Sequence, residues 1–191
     1  MQEVLHNPLE LPDGLPAPVD DGAARHLTGL ALPDVELAAT DGSAVNLSRL
    51  AGRTVVYLYP RTGRPGQAMP TGWNAIPGAR GCTPQSCSFR DHFNALRALG
   101  VAQVYGLSTQ DSDYQREAAA RLHLPFAILS DADMKFQRAL RLPTFAVDGM
   151  VLLKRMALVI DHGAITKVFY PVFPPDRNAA DVVAWLRSAS R

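Results

Sequence analysis

Cysteine is scarce in this chain. Only two of its 191 residues are cysteine, and both lie in the stretch "GCTPQSC", at positions 82 and 87. Small secreted scaffolds carry disulfides at a much higher density, and a chain of this length can bury a full apolar core without covalent cross-links. The composition therefore excludes a disulfide framework. It indicates a thiol pair with a chemical role in a reducing compartment, and we expect a cytoplasmic protein.

Export signals, long apolar runs and a charge excess are also missing. The N-terminus contains Glu3 and several prolines where a signal peptide requires an uninterrupted apolar run. The most apolar window, residues 150–160, is interrupted by Lys154 and Arg155 and is too short to cross a bilayer. The formal net charge is +1, and Lys and Arg are dispersed along the chain. We expect a soluble protein that acts on a small molecule or on another protein, with neither nucleic acid nor a membrane as partner.

The chain divides into an extension and one domain. Residues 1–26 are rich in proline, glycine and acidic residues and show neither helical nor strand periodicity, so we interpret them as an N-terminal extension. The remaining residues, 27–191, have the length of a single domain. Residues 61–81 within it are rich in glycine and proline, which predicts a long inserted loop. Such loops in compact domains are usually functional or disordered.

Strands and helices alternate along the domain, which then ends in a hairpin and a helix. Apolar runs predict two short strands around Asp41-Gly42, then strands at 53–60, 101–108 and 125–133, and a hairpin of 155–161 and 164–170. Helices are predicted at 84–99, with Thr83 as N-cap and Pro84 as first helical residue, at 113–124, near 134–142 and at 178–186, with Asn178 as cap. This order predicts an α/β fold with a mixed central sheet flanked by helices.

The surroundings of Cys82 indicate a reactive thiol. Its neighbours are polar or small, and it lies where a helix begins, so that unpaired backbone N–H groups and the helix dipole favour a thiolate. Two alternatives stay open at this point: a buried structural cysteine, and a zinc site that includes Cys87 and His92. A C-x-x-C disulfide exchanger is excluded, because four residues separate the two thiols.

The motif "GCTPQSCSFRD" resembles the signature of the peroxiredoxins of the bacterioferritin comigratory protein, or peroxiredoxin Q, type. The segments "YLYP", "VYGLST", "ILSDAD", "RMALVID" and "NAADVVAWL" resemble that family in the same order, so the likeness covers roughly residues 27–189. The resemblance implies a thioredoxin-like fold and a peroxidase without metal or organic cofactor. Cys82 would attack the peroxide, Cys87 would resolve the resulting sulfenic acid in an intramolecular disulfide, and thioredoxin or a similar dithiol would reduce that disulfide.

Two further residues match the family pattern, and one does not. Arg155 matches the arginine that the family places beside the thiolate, and Pro60 matches the proline that shields the thiolate from water. Without the family, Arg155 would be interpreted as a salt-bridge partner and Pro60 as a strand terminator. The family's threonine or serine, three residues before the cysteine, is replaced by Ala79. We expect Thr62 to supply the missing hydroxyl, with Thr71 as second candidate.

The sequence thus predicts a thiol peroxidase that reduces hydrogen peroxide and organic hydroperoxides. The family resemblance further implies a monomer. A redox sensor that oxidises a partner protein through the same Cys82 chemistry is the alternative from another class. Repeated turnover would indicate the enzyme, whereas stoichiometric oxidation of a partner would indicate the sensor.

Overall fold

A computed structural model describes residues 7–189 of the chain. The strands are β1 (Glu36–Ala39), β2 (Ala44–Asn46), β3 (Arg53–Leu58), β4 (Val101–Ser108), β5 (Ile128–Ser130), β6 (Thr144–Val147), β7 (Met150–Leu153), β8 (Met156–Asp161) and β9 (Ala164–Phe169). The α-helices are α1 (Cys82–Asp91), α2 (Phe93–Ala98), α3 (Ser112–Arg121), α4 (Lys135–Leu140) and α5 (Asn178–Ala189). No helix among these residues is long and apolar enough to cross a membrane.

Seven of the strands form one mixed sheet, as the sequence predicts. Their order is β2-β1-β5-β4-β3-β8-β9. Strands β3, β4 and β5 run parallel, while β1 pairs with β5 and β8 pairs with β3 in antiparallel fashion. Strand β3, next to the central strand β4, is therefore bonded on both edges, and the segment that follows it emerges at the carboxyl end of the parallel strands.

The sheet is covered by apolar residues on both faces. Successive side chains of β3 alternate between the two layers, because side chains in a strand point to opposite faces. Val55 and Tyr57 pack with α1, α2 and α5, whereas Val56 and Leu58 pack with α4 and with residues that precede β1. Helix α1, which carries both cysteines, thus lies on the layer that contains Tyr57.

A separate hairpin lies beside the sheet. Strands β6 and β7 pair only with each other, and Asp148 and Gly149 form their turn with positive φ angles. The inserted loop packs on this hairpin through Trp73, whose ring lies 6.1 Å from that of Phe145 and contacts Leu152 in a third apolar cluster. The sequence analysis does not predict this hairpin, although Asp-Gly between apolar residues is a recognised turn signal.

Two helix boundaries differ from the prediction. The helix predicted at 84–99 is two helices, broken at His92, whose Nδ1 donates to the carbonyl of Ser88 at 2.8 Å. Helix α1 begins at Cys82 with Gly81 as its N-cap, so the prediction of Thr83 as N-cap is wrong. Asn178 is not a cap either: it has helical backbone angles because α5 continues directly from a 3₁₀ turn, Pro175–Arg177.

Residues 7–26 contain no helix or strand but pack against the domain. Ala24 is buried in the core layer on the α4 side. Asp21 forms an ion pair with Lys154 at 2.6 Å and accepts a hydrogen bond from Tyr170 at 2.8 Å. These two partners hold the pKa of Asp21 far below its ordinary value. The described part of the predicted extension is therefore attached beside Arg155. Its status as a segment separate from the domain stays a prediction.

Candidate active site

The first residue of helix α1 is Cys82, and a glycine makes this start possible. Gly81 has φ of 105°, a region that L side chains rarely adopt. A Cβ at Gly81 would also lie 2.3 Å from Cγ of Pro175 and 2.9 Å from Cδ2 of Leu11. Since Gly81 has no side chain to cap the helix, the first N–H groups of α1 receive no side-chain partner from their N-cap. They are available to stabilise negative charge at the sulfur.

Arg155 contacts the sulfur of Cys82. Its Nη2 donates to Sγ at 3.3 Å, and both side chains are almost fully buried, with 3% and 4% of their surface exposed. The same guanidinium donates to the carbonyls of Gly78, Ala79 and Arg80 at 3.2, 3.0 and 3.1 Å. A buried cation requires an anionic or strongly polar environment. The three carbonyls and the sulfur supply it, and they fix the guanidinium beside Sγ.

Cys87 has different surroundings on the same helix. It is partly buried, and both cysteines are free thiols. Burial raises the pKa of the Cys87 thiol, although the charges of Arg90 and Arg121 oppose this shift. Five residues along an α-helix separate two Cα atoms by about 8.6 Å. A disulfide requires roughly 4.4 to 6.8 Å, so the two thiols can be joined only if α1 unwinds.

Aromatic rings hold α1 on the sheet. Phe89 stacks on Tyr57 with ring centroids 4.5 Å apart and planes inclined by 8°, and the hydroxyl of Tyr57 donates to Ser86 at 3.0 Å. Burial raises the pKa of Tyr57 well above its ordinary value, so this phenol stays protonated. Helix α1 is thus held on the sheet by a stacking contact at Phe89, after Cys87, and by a buried hydrogen bond at Ser86, between the cysteines.

The other predicted site residues, Pro60, Thr62 and Thr71, lie on the segment that follows β3. Pro60 is buried directly after β3. Thr62 is also buried, and its hydroxyl and backbone N–H both donate to Oε1 of Gln110, at 3.2 and 2.8 Å. Thr71 is exposed, and its N–H donates to Asp148 in the turn of the β6–β7 hairpin. The hydrogen bonds of Thr62 therefore fix the loop to Gln110. The roles of Pro60 and Thr62 in catalysis stay predictions.

Two polar residues of the site are absent from the sequence prediction. Gln85 accepts from Arg155 Nη1 at 2.5 Å and donates to Asn178 Oδ1 at 2.9 Å, and both residues are fully buried. The position of Gln85 holds a signal, because residues three apart share a helix face and Gln85 is three residues after Cys82. No comparable signal identifies Asn178, which is remote in sequence.

The N-terminal extension covers the segment that leads to Cys82. Arg80 Nη2 donates to the carbonyls of Asn7 and Glu10 at 2.6 and 2.9 Å, and Leu11 lies against Gly81. A cavity of about 920 Å³ separates the extension from the inserted loop, and Leu11, Trp73 and Arg80 are among its lining residues. The extension therefore contacts the two residues directly before Cys82.

The arrangement fits a thiol nucleophile assisted by a cation. Among residues 7–189, no cluster of three or more His, Cys, Asp or Glu side chains could hold a metal ion. The ring Nδ1 of His92, the histidine of the zinc alternative, donates to the carbonyl of Ser88. The Cys82 sulfur contacts the Arg155 guanidinium at 3.3 Å and the carbonyl of Ala79 at 3.6 Å.

Comparisons with known proteins give matches both in sequence and in fold. A family model described as Redoxin matches residues 27–184. A putative chloroplastic peroxiredoxin Q from Oryza sativa subsp. indica is 31% identical over 162 residues, which cover 84% of this chain and 66%, just under two thirds, of the rice protein. The peroxidoxin BcpB structure from Mycobacterium tuberculosis is 26% identical with a TM-score of 0.66 and covers 84% of this chain and 96% of that one. A structure of Xanthomonas campestris bacterioferritin comigratory protein, described in terms of alkyl peroxide reduction activity, is 20% identical with a TM-score of 0.66 over 85% and 98% of the two chains.

Proposed function

Because this chain belongs to the Redoxin family, and within it to the peroxiredoxin Q or bacterioferritin comigratory protein type, we propose that it is a thiol peroxidase of the atypical two-cysteine kind. The observation that carries the proposal is the contact of 3.3 Å between Arg155 Nη2 and the sulfur of Cys82, at the start of a helix that also contains Cys87. A thiolate is the nucleophilic form of cysteine, and a cation and helix N–H groups both stabilise it.

The reaction proceeds in three balanced steps. The Cys82 thiolate attacks the terminal oxygen of the peroxide, the O–O bond breaks, and the departing oxygen takes a proton and leaves as water or an alcohol. Cys82 is thereby oxidised to a sulfenic acid. The Cys87 thiol then loses its proton and attacks that sulfur as a thiolate; the Cys82–Cys87 disulfide forms, the S–O bond breaks, and the departing hydroxyl takes up a proton and leaves as water. A dithiol of the thioredoxin class reduces the disulfide and becomes a disulfide itself.

Thiolate formation alone does not account for a fast peroxidase. A thiol with an ordinary pKa of about 8.5 is about 3% ionised at pH 7, so complete ionisation raises the rate by at most roughly thirtyfold. The remaining acceleration is assigned to groups that stabilise the charge developing along the O–O bond. Arg155 and the N–H groups of the first turn of α1 are these groups.

Hydrogen peroxide and organic hydroperoxides are both proposed as substrates. Support for the second class comes from the Xanthomonas campestris protein, whose structure is described in terms of alkyl peroxide reduction. The cytoplasmic location and the monomeric state stay predictions.

A coupled assay tests the proposal. The reduced protein is incubated with thioredoxin, thioredoxin reductase and NADPH, and NADPH consumption is followed with hydrogen peroxide or with an organic hydroperoxide. Repeated turnover that Cys82→Ser abolishes is the expected result. Consumption of one peroxide per protein, with no turnover in the presence of this or any other dithiol, would contradict the enzyme and favour the redox sensor.

A further inference from the structure

Three buried polar side chains, joined by hydrogen bonds, connect the active site to helix α5. Arg155 Nη1 donates to Gln85 Oε1 at 2.5 Å, and Gln85 Nε2 donates to Asn178 Oδ1 at 2.9 Å. The exposed fractions of Arg155, Gln85 and Asn178 are 3%, 0% and 1%. Since bulk water does not reach these groups, the protein itself must supply their hydrogen-bond partners.

The donor and acceptor groups of the three side chains determine how the amide of Gln85 is oriented. A guanidinium only donates hydrogen bonds, so the carbonyl oxygen of Gln85 must face Arg155 and its NH₂ group must face Asn178. Asn178 therefore presents its oxygen. Without that oxygen, the buried NH₂ of Gln85 would lose its acceptor, which costs free energy of folding. The Gln85 side chain would then no longer be held in this orientation.

The backbone does not explain why Asn178 is present. An N-cap residue has extended backbone angles, whereas Asn178 has φ −56° and ψ −45° and its backbone N–H bonds to Pro175 within the preceding turn. Its side chain is directed to Gln85 in α1. The buried side-chain amide of Asn178 thus joins helix α5 to helix α1.

We propose that Asn178 is a positioning residue for the peroxide reaction. It acts through Gln85, whose orientation holds the Arg155 guanidinium beside the sulfur of Cys82. Asn178 itself touches neither the substrate nor the sulfur. The inference rests on the proposed peroxidase function and extends the set of residues on which that function depends.

The hydrogen bond between Gln85 and Asn178 should have the opposite effect on the second step, the formation of the disulfide. Gln85 lies between the two cysteines, so it leaves both Arg155 and Asn178 when α1 unwinds to form the disulfide. Asn178 therefore stabilises only the helical form of α1. Loss of its oxygen should slow the oxidation of Cys82 and accelerate disulfide formation. A merely structural role would destabilise the fold without slowing the first step.

The test measures both steps in variants of Asn178. Asn178→Leu keeps the approximate side-chain volume but removes the acceptor, Asn178→Asp keeps an oxygen in its place, and Asp181→Asn is a control on the exposed side of the same helix. Reduced protein is mixed with hydrogen peroxide, quenched at intervals and analysed by mass spectrometry for sulfenic acid and disulfide. We expect Asn178→Leu to slow sulfenic acid formation about tenfold and to accelerate disulfide formation, and Asn178→Asp to stay within about threefold of wild type.

A double-mutant cycle tests whether Asn178 acts through Gln85. In a Gln85→Met background, Asn178→Leu should change the oxidation rate no further, because the intermediate group is already gone. Circular dichroism checks that each variant is folded, and Asn178→Ala replaces Asn178→Leu if the latter does not fold. Effects that simply add, or an unchanged oxidation rate in the folded variant, would overturn the inference. A wild-type protein that hydrogen peroxide and organic hydroperoxides leave unoxidised would overturn the proposed function as well.

Discussion

At the scale of single residues, the two thiols differ in what surrounds them. Cys82 begins α1 and receives a hydrogen bond from Arg155, whereas Cys87 lies in the middle of the helix, where burial raises its pKa. A raised pKa keeps Cys87 in its thiol form at neutral pH, and a thiol is a poor nucleophile. These surroundings support the proposed roles, in which Cys82 reacts with the peroxide and Cys87 acts in the later resolving step.

Replacing each cysteine by serine should give different results. Cys82→Ser should abolish peroxide reduction, because serine does not form a comparable nucleophile here. Cys87→Ser should still consume about one equivalent of peroxide per chain and then stop as a sulfenic acid. Peroxide consumption measured without reductant distinguishes the two variants, and equal residual activity would contradict the assignment of roles.

The contact between Arg155 and the sulfur predicts a large effect of Arg155→Met. The variant should slow the reaction of Cys82 with hydrogen peroxide by more than the roughly thirtyfold that thiolate formation can supply, since the cation also stabilises charge on the peroxide. Arg187→Met, an exposed change on α5, is the matched control. A change smaller than about threefold in the second-order rate constant would make Arg155 a structural residue.

The sequence locates only part of this site. Cys82, Cys87 and Arg155 follow from the motif, the helix start and an arginine within an apolar strand, and the structure places Arg155 beside Cys82. Gln85 and Asn178 do not follow, because their contact joins two helices that are far apart in the chain. Sequence patterns report local periodicity, whereas this hydrogen bond depends on how α1 and α5 pack.

At the scale of secondary structure elements, the proposed mechanism requires helix α1 to be ordered when Cys82 meets the peroxide and to unwind when the disulfide forms. The Tyr57–Phe89 stack holds it on the sheet, and the break at His92 limits it to ten residues. The prediction of one longer helix is wrong because the imidazole of His92 bonds to the carbonyl of Ser88 and the backbone turns there. Because α1 ends before His92, we expect its first turns to unwind without disturbing α2.

Ser88→Ala should slow the formation of the disulfide. The Ser88 hydroxyl is buried without a hydrogen-bond partner among residues 7–189, and alanine favours a helix by about 0.5 kcal/mol over serine. A more stable α1 opens less often, so we expect disulfide formation to slow about two- to fivefold and Cys82 to be over-oxidised at lower peroxide concentration.

Mass spectrometry of Cys82 after graded peroxide treatment measures this effect. Ser188→Ala, an exposed change in α5, serves as control. If Ser88→Ala raised the thermal stability of the reduced protein but left over-oxidation unchanged, unwinding of α1 would not limit the resolving step.

At the scale of the whole molecule, the family match accounts for the sheet and its helices, and residues 7–11 of the extension contact the segment before Cys82. The Redoxin match confirms the predicted thioredoxin-like fold. The β6–β7 hairpin and residues 7–26 lie outside what the sequence analysis predicted in three dimensions. The hairpin packs against Trp73, and the extension is held in place by its contacts with Arg80 and Lys154. Neither set of contacts produces a periodic pattern in the sequence, so the sequence analysis does not predict them.

Removal of residues 1–12 should accelerate disulfide formation. It deletes the carbonyls of Asn7 and Glu10 that bind Arg80, and the Leu11 side chain that lies against Gly81. The segment before Cys82 would then move more freely, and we expect about a threefold faster resolving step with unchanged far-UV circular dichroism. Leu9→Ala, at a residue with 60% of its surface exposed, is the control. A rate of disulfide formation equal to that of wild type would show that the extension does not influence the opening of α1.

The central claim is that α1 must unwind for Cys82 and Cys87 to meet. Amide hydrogen exchange of the reduced and the peroxide-treated protein, with mass spectrometry to identify the intramolecular disulfide, tests it most directly. The account predicts that residues 82–91 are protected in the reduced protein and lose protection in the oxidised protein, while β3 and β4 keep theirs. An oxidised protein with the Cys82–Cys87 bond and unchanged protection across residues 82–91 would contradict it.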